Sequence, residues 1–171
     1  MAEVHSTLLD FFIAQLGSVG SLAKYRKRGE WLPVRVISEF TEAMKKKGRA
    51  YLLLRQAGQD FAAQLRAEGT FGDDLSFDEA VSLLPKTFIR YIRGDGSGII
   101  KLESVGSGFV RVLENTPFPC SFTEGVFLGF LQGAGARGAM VHQILCREED
   151  PKEIFCVYEL KWMCANRIQP K

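Results

Sequence analysis

Histidine is scarce in this chain, with two in 171 residues. Neither stands in a helical His-Glu-x-x-His pattern or near a Ser or Asp that would complete a recognised nucleophile motif. The common metalloprotease and hydrolase constellations are missing, and we expect no enzyme. Long apolar runs are missing too, since no stretch reaches the ~18 residues a membrane span needs. The opening Met1-Ala2-Glu3-Val4-His5 lacks the basic and apolar parts of a signal peptide. The four cysteines therefore read as reduced thiols in a cytoplasmic protein, with two disulfides in a secreted chain as the alternative. Charge is nearly balanced at +2, which gives no reason to expect a nucleic-acid partner.

Phenylalanine is abundant. Thirteen of them point to a bulky core or an apolar cavity. The length suits a single domain over 1–171 that buries its core without disulfides or metal.

The first half reads as helices. Residues 6–16 carry an apolar stripe of Leu8, Leu9, Phe12, Ile13 and Leu16, with Ser6 placed to cap them. Gly17 to Gly20 reads as a flexible break. Lys24 to Arg28 and Lys45-Lys46-Lys47 read as solvated basic runs, and Asp73 and Asp74 as solvated acids. A second helix spans 34–47 and ends at Gly48. A third spans about 49–67, with Leu54, Gly58, Phe61 and Leu65 on one face and Gly58 placed for a close neighbour. Ser76-Phe77-Asp78-Glu79 is a capping box that opens a fourth, which Pro85 breaks or restarts as a short helix to Ile92.

After 93 the period changes. Gly94 to Gly98 is a turn-rich linker, and 99–104 and 109–114 form a hairpin. Ser121-Phe122-Thr123-Glu124 reads as a second capping box for a helix to about Gln132, in which Gly125 and Gly129 predict tight packing. Strands 139–146 and 154–162 follow, joined by the acidic loop Arg147 to Glu153. The order predicts an α+β fold, with 1–93 mainly helical and 98–162 forming a four-stranded antiparallel sheet of two hairpins separated by a helix.

Four residues of this half suggest metal chemistry. His142 and Cys146 are four apart on a strand and share a face by simple alternation, and pairing around Pro151 sets Cys146 opposite Cys156. Cys120 precedes a helix start, where the dipole favours a thiolate. Soft thiolates with one imidazole suit tetrahedral zinc. The alternative is three buried apolar thiols, which we favour.

The run Cys120-Ser121-Phe122-Thr123-Glu124-Gly125, Gly129-Phe130-Leu131, Cys146 and Cys156 resembles the 4-vinyl reductase domain, with Arg55 to Asp60 similar to an upstream helix signature. Gly125-Val126, Gly129, Gly135 to Gly138 and Tyr158-x-x-x-Trp162 resemble an uncharacterised bacterial paralogous family. Related folds are the TRAPP tethering subunits and the haem nitric-oxide sensor domains. The resemblance implies a non-catalytic sensor that binds a small hydrophobic molecule and signals through a protein partner, or a TRAPP-like homodimeric scaffold. It also implies structural zinc on the positions of Cys120, Cys146 and Cys156, with Gln143 where sensor members carry a carboxylate and His142 as a substitute. The haem sensors ligate through a helical His and a Tyr-x-Ser-x-Arg clamp, and this sequence has neither, so the expectation is against haem and for no cofactor. A ligand pocket is expected between the sheet and helices 49–67 and 77–92, lined by Phe61, Phe88, Tyr91 and Ile100. A homodimer is expected through Leu8, Phe12 and Leu16 of the first helix, because an isolated terminal helix needs a partner to bury its stripe.

Overall fold

A computed structural model describes residues 1–16, 29–46, 48–71, 75–150 and 152–165. The readings of Gly17 to Gly20, Lys24 to Arg28, Lys47, Asp73, Asp74 and Pro151 fall outside the described residues.

The chain opens with strand β1 (Glu3–His5), then α1 (Ser6–Leu16), β2 (Trp31–Pro33), α2 (Arg35–Lys46), α3 (Ala50–Ala67), α4 (Phe77–Ile89) and β3 (Ile92–Arg93). It continues with β4 (Ile100–Gly106), β5 (Phe109–Glu114), α5 (Cys120–Gly133), β6 (Ala136–Arg137), β7 (Met140–Leu145), β8 (Cys156–Lys161) and β9 (Cys164–Ala165). The two hairpins form one antiparallel sheet in the order β4-β5-β8-β7, so the α+β architecture and its separating helix are as expected. The small β2-β1-β3 sheet and the β6-β9 pair were not foreseen, because runs of two or three residues carry no readable alternation. No helix among the described residues is long and apolar enough to cross a membrane.

Alternation fixes the inner face of the sheet. Val110, Val112 and Glu114 of β5 lie opposite Leu160, Tyr158 and Cys156 of β8, and all six are buried. Helix α5 rests on this face, with the Phe127 and Tyr158 rings edge to face at 5.2 Å. Helix α3 crosses α5, and α1 and α2 pack against α3.

The crossing has no room for side chains. A methyl on Gly58 would run into the Phe122 carbonyl oxygen and the Val126 nitrogen, and one on Gly125 into the Arg55 carbonyl. One on Gly129 would lie 2.9 Å from the Ala62 Cβ. Leu54, Phe61 and Leu65 flank the contact and are buried, as their spacing predicts.

Three local readings are corrected. Ser6 is not the cap of α1: its hydroxyl accepts from the Glu30 N–H at 3.2 Å, and His5 Nδ1 accepts from the Thr7 N–H at 3.4 Å in its place. Ser121 caps nothing either. Pro119 holds the N-cap position of α5 without a side-chain bond, and Glu124 turns to Arg55 at 3.1 Å and to the Tyr51 hydroxyl at 2.8 Å. The Ser76–Glu79 box does form, but α4 runs through Pro85 to Ile89, held by the burial of Leu84 and Phe88 on either side.

Of the stripe expected to make a homodimer, Leu8 and Phe12 are buried within the chain, Phe12 stacks on Phe122 at 4.8 Å, and the Leu16 side chain lies outside the described residues. The helix found its partner in α3 and α5.

Gly58→Ala and Gly125→Ala should each destabilise the protein by about 1–3 kcal/mol or more, because each overpacks backbone rather than a side chain that can turn away. A fall in urea midpoint at unchanged slope measures this. The double variant should cost less than the sum, since one widening of the crossing relieves both clashes.

Candidate functional site

Helix α5 begins where the two hairpins meet, and the thiol of its first residue, Cys120, points to the ends of β7 and β8. Its Sγ lies 3.5 Å from that of Cys146 and 3.3 Å from that of Cys156, and all three sulfurs are within 4.8 Å of one another. Cys120 and Cys156 are buried and Cys146 is half-buried. No disulfide joins these cysteines. The exposed Cys164 lies on β9, apart from this group.

His142 does not join them. The register pairs His142 with Glu159 and Gln143 with Tyr158, then shifts so that Leu145 pairs with Val157. This irregularity inserts one residue, and a one-residue shift exchanges the two faces of a strand. Gln143 and Cys146 therefore both turn inward, and His142 is left exposed on the outer face. The imidazole expected as fourth ligand is replaced on the inner side by the Gln143 amide, which acts on the Cys120 thiol.

The surroundings are polar and largely satisfied. The Arg147 N–H donates to Cys156 Sγ at 3.4 Å. The Cys120 N–H donates to the Glu148 carboxylate at 3.0 Å, a remote anion at the helix start. The Tyr158 hydroxyl donates to the Cys120 carbonyl at 3.3 Å. Glu114, opposite Cys156 across the strand pair, is fully buried; its Oε2 accepts from the Thr116 N–H and hydroxyl at 2.8 and 2.7 Å, while Oε1 has no hydrogen-bond partner. Burial raises the Glu114 carboxyl, against the pull of Arg147, Thr116 and the Cys156 thiol. The hydrogen bond between Cys120 and Cys156, helped by burial, raises the Cys120 thiol, and the same bond lowers Cys156. Burial, then Cys120, raises Cys146. Three convergent sulfurs of this kind can hold a soft ion. The sequence reading missed Glu114, whose signal is a charge in the inward phase of an apolar strand, whereas Arg147 and Glu148 carried no signal in the sequence.

The four residues expected to line a ligand pocket are all buried, but they divide. Phe88 and Ile100 line a cavity of about 200 Å³ together with Pro85, Ile92, Gly98 and Thr116. Phe61 and Tyr91 belong to the aromatic core instead, edge to face at 4.9 Å. The Tyr91 hydroxyl donates to Glu68 at 2.6 Å. Burial, then Glu68, pushes the Tyr91 phenol up to about 12, and the same bond lowers the Glu68 carboxyl.

This pair makes a pH prediction. A raised phenol stabilises the fold below its ordinary value of 10, and that share is lost as pH climbs toward about 12. A lowered carboxylate contributes above its ordinary value of 4.5, and that share is lost as pH falls below it. The stability advantage of the wild type over Tyr91→Phe, read from urea midpoints, should be greatest near neutrality and shrink at both ends.

No family model matches the chain, and no curated protein matches it. Solved structures do. An H-NOX protein from Shewanella oneidensis in the Fe(II) ligation state is 11% identical with a TM-score of 0.66, over 95% of this chain and 89% of that one. An oxygen-binding H-NOX domain related to soluble guanylate cyclases is 12% identical with a TM-score of 0.60, over 97% and 98%. A protein studied for haem redox potential under porphyrin distortion is 12% identical with a TM-score of 0.64, over 92% and 99%. Of the related folds named from the sequence, the haem nitric-oxide sensor is the one these structures bear on.

They also overturn the expectation of no cofactor and the argument against haem. Solved proteins of this fold hold haem, so a missing helical His is no ground for setting it aside. The described residues, as packed, offer a porphyrin no ready chamber. His5 is held between Trp31 at 5.2 Å and Tyr91 at 6.3 Å, and Phe61, Phe88, Phe118 and Phe122 fill the space between helices and sheet. From its first strand to β9, the chain has the fold of the H-NOX domains.

Proposed function

We propose that the chain is a regulatory ligand-binding domain that senses a small apolar molecule and signals through a protein partner, without covalent chemistry of its own. The likeness in fold, over 97% of this chain, to a domain described as oxygen-binding carries this reading. The cavity beside α4 supports it. At about 200 Å³ it falls below the roughly 300–1,000 Å³ of drug-sized pockets, and it suits a ligand of few atoms. The 4-vinyl-reductase resemblance supports the same reading.

The wall of the cavity suggests how occupancy is transmitted. Phe88 belongs to α4 and Ile100 to β4, while Thr116 lies on the link between β5 and α5. Thr116 holds Glu114, and its carbonyl accepts from the Arg147 guanidinium, whose backbone N–H touches the Cys156 sulfur. A ligand that prefers one position of Thr116 biases the thiol end of the sheet by its differential affinity for the two positions.

Native mass spectrometry of the purified protein reports any retained molecule, haem included. Small aromatic and aliphatic probes should raise the melting temperature of the wild type in proportion to the logarithm of their concentration above saturation. Ile100→Trp, which fills the cavity, should abolish the response. An equal response in that variant would remove the cavity from the proposal.

A further inference from the structure

The three thiols can be asked which ion they suit. Zinc in a tetrahedral site with bonds of ~2.3 Å needs four donors and sets its sulfurs about 3.8 Å apart. Here Cys120 Sγ stands closer than that to both neighbours, at 3.3 and 3.5 Å, while the sulfurs of Cys146 and Cys156 lie within 4.8 Å of each other. A fourth metal-binding side chain is missing from the group: among the described residues only Cys120, Cys146 and Cys156 converge. His142 points away, and Gln143 offers an amide, a poor ligand for zinc.

Charge leads the same way. Zinc on three thiolates carries a net negative charge. Glu114 lies opposite Cys156 with a buried, unpartnered oxygen, and Glu148 sits at the Cys120 N–H. Arg147 is the nearby cation, and its guanidinium is turned to the Thr116 and Phe118 carbonyls. A buried negative complex needs compensation that this pocket does not spare. An ion with three positive charges and three bonds leaves a neutral product.

We propose that the site of Cys120, Cys146 and Cys156 binds a trivalent thiophilic ion of the arsenite and antimonite class, through three sulfur bonds and no fourth protein ligand. Such an atom carries a lone pair and holds its three bonds in a pyramid, which draws the sulfurs closer than a tetrahedron does. Binding is an exchange without oxidation or reduction. Each of the three As–O bonds of arsenous acid breaks as an As–S bond forms, and each thiol proton leaves with a hydroxyl as water, three waters in all. Arsenous acid is neutral and small, and the half-buried Cys146 is where it meets the site first. Cys120 and Cys156 follow within the protein. The proposal is independent of the cavity reading, since Phe88 and Ile100 take no part.

The test uses the full chain with Cys164→Ser, which silences the exposed thiol, kept reduced with a phosphine. Arsenite should give one adduct per chain in native mass spectrometry, and alkylation after binding should find all three remaining thiols protected. Zinc in equal amount should not displace it. Gln143→Glu supplies the missing fourth donor on the inner face, and it should shift the preference toward zinc. Cys146→Ser, at the most open of the three positions, should lose the tight adduct. If one thiol stays open to alkylation in the arsenite complex, or zinc displaces arsenite from the parent, the proposal is overturned. Because thiol protection is read on the parent, a folding defect in a variant does not alter that outcome. Failure of the cavity probes would leave it untouched as well.

Discussion

The direct backbone contact between α3 and α5 is what the rest of this structure depends on. Gly58 meets the Phe122 carbonyl and Gly125 meets the Arg55 carbonyl, so the two helices approach as closely as their main chains allow. That approach carries Phe122 into the centre of the molecule, where it stacks with Phe12 and packs beside Phe61 and Phe118. It also sets the height of α5 over the sheet, and so the place where Cys120 meets Cys146 and Cys156. The glycines are required for what they lack, because close packing at native density leaves no slack for one methyl.

The thiol site is a junction rather than a pocket. One sulfur comes from the first turn of a helix, one from the start of a strand and one from just past the end of its neighbour. The three are brought together by pairings that serve the core first. Tyr158 ties the same corner, with its ring against Phe127 and its hydroxyl on the Cys120 carbonyl. An ion held here would bind α5 to the second hairpin, and its loss would loosen the same seam.

Much of this was legible in the sequence where a pattern runs long enough to average over its neighbours. The 3.6-residue spacing of Leu54, Gly58, Phe61 and Leu65 marked both the buried face of α3 and its contact point, whereas Glu114, a charge in the inward phase of β5, was passed over. The three cysteines were legible as a group. What escaped depends on single events. One bulge in β7 reverses a face and removes His142. The two capping boxes have the same Ser-Phe-x-Glu pattern, yet only that of Ser76 closes, because Glu124 has Arg55 and Tyr51 beside it. The stripe of α1 told that the helix needs a partner without telling which, and α3 lay within the same chain. Haem was set aside on ligand type, an argument that speaks to one mode of binding and not to what a fold has carried.

The pairing of β5 with β8 has a consequence for how the molecule is made. Each hairpin is local, but the ladder between them closes only after everything from 115 to 155 has left the ribosome, and α5 lies inside that loop. Until α5 emerges, Phe12 and Phe61 have the rings of Phe40, Phe88 and Tyr91 beside them but lack that of Phe122, and the glycine face of α3 is an open groove. The nascent chain therefore keeps an apolar face of α3 uncovered until α5 has been made, and it condenses late, through contacts far apart in sequence that form slowly.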